Sequence, residues 1–135
     1  MTPFLVVSEH VARNPVAQAI ERNNLLKAIA SFQTRLYLLD ENEPAQDDAQ
    51  TAARVLAVAI RCCELDKTDQ EPPCRVMRGA LSALVSCAQR GFTWRKVDAP
   101  AIDTGLEYAL EVMRITSATI KRCAWLDVER MEQAA

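Results

Sequence analysis

The sequence has few of the residues on which catalytic and cofactor-binding motifs depend. It contains three glycines and one histidine, His10, in 135 residues. No GxGxxG, P-loop or GxSxG pattern is present, and isolated glycines do not build a phosphate-binding loop. One histidine is too few for di-iron sites built from paired Glu-x-x-His motifs or for histidine-rich zinc sites. We therefore expect a protein that is not an enzyme and uses no metal or cofactor.

The sequence also lacks a strong excess of charge and a long apolar run. Its formal net charge is -2, which gives no general reason to expect nucleic acid or an anionic membrane as partner. The longest strongly apolar run, Val55 to Ile60, is far shorter than the ~20 residues of a spanning helix. The N-terminus has neither the basic lead nor the apolar stretch of a secretory signal. These features predict a cytoplasmic protein with no membrane anchor.

The cysteines do not form a recognisable framework. There are five, an odd number, and none is spaced as Cys-x-x-Cys. We expect most of them to be small, reduced core residues. Cys74 is the alternative, because it stands at a predicted helix start, where the helix dipole lowers a thiol pKa. A thiol-based sensor or enzyme at Cys74 is accordingly the second alternative function.

What the sequence does contain is a set of helix starts marked by proline close to Asn or Asp. Both features favour a first helical turn, since the side-chain oxygen accepts from free N–H groups and proline has no N–H to leave unpaired. Apolar residues follow each start at helical spacing. The pattern predicts four helices, at about 15–39, 45–65, 73–90 and 99–131.

These helices predict an all-α fold, an antiparallel four-helix bundle in one domain of residues 1–135. At 1.5 Å per residue the fourth helix would be ~50 Å long and would overhang the others. A short N-terminal segment, residues 1–13, is predicted to pack on that overhanging end beside Trp125 and Val128. The same overhang suggests a homodimer.

Several positions have specific structural predictions. Phe32 and Leu84 are expected in the core, and Leu26 is expected to widen the apolar stripe of the first helix. Gly79 lies in the middle of a helix, which suggests that a neighbouring backbone passes close to it. Gly91 is predicted to end the third helix in a left-handed conformation.

The connection between the third and fourth helices is the best candidate for a binding surface. It combines two aromatic residues with two cations, and Trp and Arg dominate binding hot spots. The predicted partner-binding residues are Phe92, Trp94, Arg95 and Lys96. In the alternative interpretation the two aromatic rings plug the open end of the bundle. The two cations would then pair with the acidic stretch 40–48.

A second candidate surface is basic. Between residues 75 and 96 the sequence has five bases and no acid. Arg75, Arg78 and Arg90 on the third helix could bind phosphates of a nucleic acid. The alternative is an ordinary solvated face, balanced by the nearby acids Glu64, Asp66, Asp69 and Glu71.

These observations favour a non-enzymatic protein–protein interaction module. We expect a small cytoplasmic adaptor or regulator of bacterial or phage type, which binds another protein. The first alternative is a helical subunit of a nucleoprotein complex that binds nucleic acid through the basic face of the third helix.

Overall fold

The computed structural model describes residues 15–38, 44 and 46–134. These residues are all-helical and contain no strand, which confirms the predicted fold class. The helices are α1 (Pro15–Tyr37), α2 (Gln46–Leu65), α3 (Pro72–Gln89), α4 (Ala99–Ile115) and α5 (Ala118–Ala134), and a 3₁₀ turn (Lys96–Asp98) precedes α4.

Helix α2 lies at the centre of the structure and packs against the other four helices. It is amphipathic, with acidic Asp47 and Asp48 in its first turn, where the helix dipole favours negative charge. Its buried side chains are mostly small, which allows its neighbours to approach closely. They are Ala49, Thr51, Ala52, Val55, Leu56, Val58, Ala59, Ile60, Cys62 and Cys63.

Most of the predicted core positions are buried. Phe32 is fully buried and Leu84 is 4% exposed. The prediction for Leu26 is wrong, because its side chain is 43% exposed. Leu25 and Ile29 already direct α1 toward the core, and Leu26 is rotated about 100° from Leu25 around the helix axis.

The predicted single helix over 99–131 is wrong: it is divided into α4 and α5. Thr116 is extended, with φ -76° and ψ 143°, and its hydroxyl donates to the carbonyl of Val112 at 2.6 Å. The hydroxyl of Ser117 accepts from the N–H of Ile120 at 3.3 Å, as an N-terminal cap does. Ser and Thr compete with the backbone for hydrogen bonds in this way, and no helix of the predicted ~50 Å forms.

The predicted docking of residues 1–13 lies outside the described residues. The two residues expected to receive that segment, Trp125 and Val128, are 6% and 3% exposed and belong to the main core cluster. Helix α5, which carries both, packs against α2.

Polar contacts join α1 to α4. The amide nitrogen of Gln33 donates to Asp103 at 2.9 Å and to Glu107 at 2.8 Å. The hydroxyl of Tyr37 also donates to Asp103, and this hydrogen bond raises the pKa of Tyr37. Because Gln33 and Tyr37 lie one turn apart, as do Asp103 and Glu107, the contacts fix the register of the two helices.

The close helix approach predicted at Gly79 is wrong. Gly79 is exposed, and a Cβ added there would meet no atom within 4 Å. The close approach lies at Gly105 on α4, where an added Cβ would collide with the Cβ of Ala80 on α3. It would also lie 3.4 Å from the carbonyl oxygen of Val76. Gly105 therefore allows α3 and α4 to pack closely.

Candidate interaction surface

The connection between α3 and α4 has a defined backbone. Gly91 and Phe92 have φ of 70° and 60°, so the chain turns through two consecutive left-handed residues. The N–H of Phe92 donates to the carbonyl of Cys87 at 2.9 Å, and that of Gly91 to Ala88 at 3.0 Å. The prediction that Gly91 ends this helix in the left-handed conformation is confirmed.

The two aromatic residues of the connection are partly buried and pack against the core. The ring of Trp94 meets that of Phe32 edge to face, with centroids 5.5 Å apart and an interplanar angle of 61°. Phe92 is a residue type that rarely adopts a positive φ, and its packing against the core holds it there. This placement is what the plug interpretation predicts for the two rings.

The predicted cations of the connection are more exposed. Arg95 has a side chain 57% exposed, and its Nε lies 3.4 Å from Oδ2 of Asp98. The same oxygen lies 3.6 Å from Nη2 of Arg90. Lys96, which begins the 3₁₀ turn, is exposed as well. Of the acidic stretch 40–48 that was predicted to pair with these cations, Asp40, Glu41 and Glu43 lie outside the described residues, and Asp47 and Asp48 stand in the first turn of α2.

Asp98 is a residue that the sequence interpretation did not single out for this surface. It holds Arg90 and Arg95 together from the end of the 3₁₀ turn. The spacing in the sequence could have indicated this ion pair, because Arg95 and Asp98 are three residues apart and such pairs meet within a helical turn.

Val97 is the second unpredicted feature. Its side chain is 77% exposed, the largest value among the exposed large apolar residues that the structure describes. It follows Arg95 and Lys96 directly, so one apolar and two cationic side chains lie next to each other at this end of the molecule. We call these three residues the connection surface.

The candidate nucleic-acid-binding residues do not form an uncompensated positive stripe. Nη2 of Arg78 lies 3.7 Å from Glu64 and 3.8 Å from Asp69. Arg90 lies near Asp98, as described above. Arg75 is exposed and donates to the carbonyl of Gln70 at 2.9 Å. Carboxylates therefore offset part of the positive charge at both ends of α3.

The expectation of a lowered pKa at Cys74 is wrong. Cys74 does stand in the first turn of α3, but its side chain is fully buried. Burial, and then the neighbouring thiol of Cys63, raise the pKa of Cys74 to about 11. Burial outweighs the helix dipole here, because a thiolate loses its hydration when it is enclosed by apolar side chains.

Cys123 is expected to be the rapidly alkylated thiol of the folded protein. It is exposed, whereas the other four cysteines are buried. The variant Cys123→Ser should lose rapid labelling by iodoacetamide at pH 7.5 in the native state and should label at the remaining thiols in denaturant. Mass spectrometry of the modified peptides measures both. Rapid native labelling of Cys74 in that variant would contradict the structural assignment.

Comparisons with known proteins yield no relative. No family model, curated protein or solved structure matches this chain. Within the described residues, no cluster of three or more His, Cys, Asp or Glu side chains is arranged to hold a metal ion. None of the helices described is both long and apolar enough to cross a membrane.

Proposed function

We propose that this chain is a non-enzymatic protein–protein interaction module and that its partner contacts the connection surface, Arg95, Lys96 and Val97. The observation that carries this proposal is the 77% exposure of Val97 beside two exposed cations. Removing a large apolar side chain from water lowers the free energy, so a partner that covers Val97 is favoured. The neighbouring cations favour a partner with an acidic rim around an apolar depression.

The anchoring of the connection supports a binding role. Binding is weakened when a loop must be ordered at the same time. Here Trp94 is held against Phe32, and the backbone at Gly91 and Phe92 is fixed by hydrogen bonds to α3. Trp94 then acts as a positioning residue for the connection surface, and Arg95, Lys96 and Val97 make the contact.

We further propose that α1 to α4 form an antiparallel four-helix bundle as the platform for this surface. The connections between consecutive helices are short, which favours antiparallel neighbours. The contacts of Gln33 and Tyr37 with α4 support the pairing of the first and fourth helices. The role of such a module would be that of a small cytoplasmic adaptor or regulator.

The nucleoprotein alternative has weaker support. The affinity of a protein for nucleic-acid phosphates depends on cations that can displace the counterions of the nucleic acid. Arg78 and Arg90 each lie within 4 Å of carboxylates, so their charge is partly offset within the protein. A protein partner remains the better explanation of the connection surface.

Val97→Asp is expected to reduce partner binding at least tenfold, because it places a carboxylate where an apolar contact forms. The tagged protein would be cross-linked in cells of its source organism, and each partner quantified by mass spectrometry. Arg95→Glu should cause a smaller loss. The melting temperature should stay unchanged for Val97→Asp, since this side chain is 77% exposed and contributes little to the core.

Ile115→Asp is the matched control. It makes the same chemical change at an exposed apolar residue, 66% exposed, at the far end of α4. It should leave the cross-linked partner at the level of the unmodified protein. Equal losses for the two variants, or an unchanged yield for Val97→Asp, would contradict the proposed surface. Salt-sensitive retention of single-stranded nucleic acid, lost on reversal of Arg75 and Arg78, would favour the nucleoprotein alternative instead.

A further inference from the structure

Helix α5 is attached to the rest of the structure mainly through α2. Its buried residues Ala124, Trp125 and Val128 lie in the core cluster, and α2 is its principal neighbour. Two ion pairs reinforce this contact. Arg54 binds Glu132 through two nitrogens, with Nε 2.7 Å from Oε1, and Nε of Arg61 lies 2.9 Å from Oδ2 of Asp127.

These ion pairs also define the direction of the contact. Along α2 the arginine position rises from 54 to 61, while along α5 the carboxylate position falls from 132 to 127. The two helices therefore run in opposite directions. We call the part of α2 that α5 contacts, including Arg54 and Arg61, the docking surface. It is complementary to α5, since its two cations meet two anions of α5 and apolar residues pack alongside.

The link between α4 and α5 is short and contains no helix breaker. Only Thr116 and Ser117 separate the two helices, and neither proline nor glycine occurs between Ile115 and Ala118. The N–H of Thr116 still donates to Val112, and that of Lys121 to Ser117, both at 3.0 Å. Helical bonding is thus lost only around the two link residues. Rotation of ψ of Thr116 from 143° to the helical value of about -42°, with the rest of both helices unchanged, would join α4 and α5.

A joined helix could not use its own docking surface. The 36 residues from Ala99 to Ala134 would span about 54 Å as one helix, whereas the 20 residues of α2 span about 30 Å. Since α2 already packs against α4 and is much shorter than the joined helix, α5 would project beyond α2. The site on α2 would be vacant and α5 would be available to an identical site.

We propose that two copies of this chain exchange α5, so that each α5 docks on α2 of the other copy. The occupant is a second copy because the docking surface is complementary in charge and apolar pattern to α5 itself. The contacts between α5 and α2 are re-formed across the dimer, and helical hydrogen bonds of the straightened link replace the cap of Ser117. The exchange is independent of the connection surface, so it holds or fails regardless of that proposal.

A mixing experiment with two charge reversals tests the exchange. Arg61→Asp faces Asp127 with a like charge, and Asp127→Arg does the same to Arg61. Mixed together, the two variants restore both opposite-charge contacts only in an exchanged heterodimer. After equilibration near the melting temperature and cooling, the heterodimer measured by native mass spectrometry should exceed each variant's homodimer at least tenfold. The double variant restores an opposite-charge contact within one chain and should regain most of the stability that the single variants lose. The remaining loss comes from the like charges that it sets beside Glu64 and Arg130.

Two substitutions of Ser117 provide an independent test if either charge reversal fails to fold. Ser117→Ala removes the cap and favours a continuous helix, whereas Ser117→Pro disfavours a continuous helix and suits the extended Thr116. Sedimentation should show a dimer dissociation constant at least tenfold lower for Ser117→Ala than for Ser117→Pro. Equal constants for the two, or mixed charge-reversal variants that remain monomers, would overturn the exchange.

Discussion

Replacing Phe32 by alanine should lower the free energy of unfolding by about 3 to 5 kcal/mol. Phe32 is fully buried in the core cluster, so its removal leaves a cavity and abolishes the edge-to-face contact with Trp94. Urea denaturation followed by circular dichroism measures the change, with an unaltered slope expected if the unfolded state is unaffected.

Leu26→Ala is the control for this prediction, since it lies on the same helix but is 43% exposed. It should change the free energy of unfolding by less than about 1 kcal/mol. A double-mutant cycle between Phe32 and Trp94 should give a coupling of about 0.5 to 1.5 kcal/mol for the ring pair. A loss below 0.5 kcal/mol for Phe32→Ala would show that this core assignment is wrong.

The sequence predicted the parts of the fold that depend on local chemistry. The start of α3 follows from Pro72 and its end from Gly91, because the proline ring favours a first turn and glycine tolerates a left-handed residue. The division between α4 and α5 was missed. Neither proline nor glycine marks the break at Thr116 and Ser117. The hydrogen bonds of their hydroxyls favour it locally, and the packing of α5 against α2 adds contacts far apart in sequence.

The sequence singled out the connection between α3 and α4, but it did not show which of its side chains pack against the core and which are exposed. An aromatic residue near cations is equally consistent with a binding anchor and with core packing. The contact between Trp94 and Phe32 joins the connection to α1, far away in the sequence, so the sequence could not choose between the two interpretations. The exposure of Val97 likewise depends on where the 3₁₀ turn places it. At Cys74, position on the helix was visible in the sequence and burial was not.

The glycines show the same limit. Gly79 and Gly105 both stand inside helices, and both look like positions where alanine would be the better helix former. Only the three-dimensional arrangement shows that Gly79 faces open space while Gly105 faces Ala80 of the neighbouring helix. The two positions should therefore respond to the same substitution with opposite signs.

Gly105→Ala should destabilise the protein by about 1 to 3 kcal/mol, because α3 and α4 must move apart to admit the new methyl group. Gly79→Ala should stabilise it by roughly 0.5 to 1 kcal/mol through helix propensity alone. Thermal and urea denaturation of both variants measure the difference. Adding Ala80→Gly to Gly105→Ala returns the missing space, so the double variant should be more stable than the sum of the single effects. A gain in stability for Gly105→Ala, or strict additivity with Ala80→Gly, would mean that the two helices do not meet at these residues.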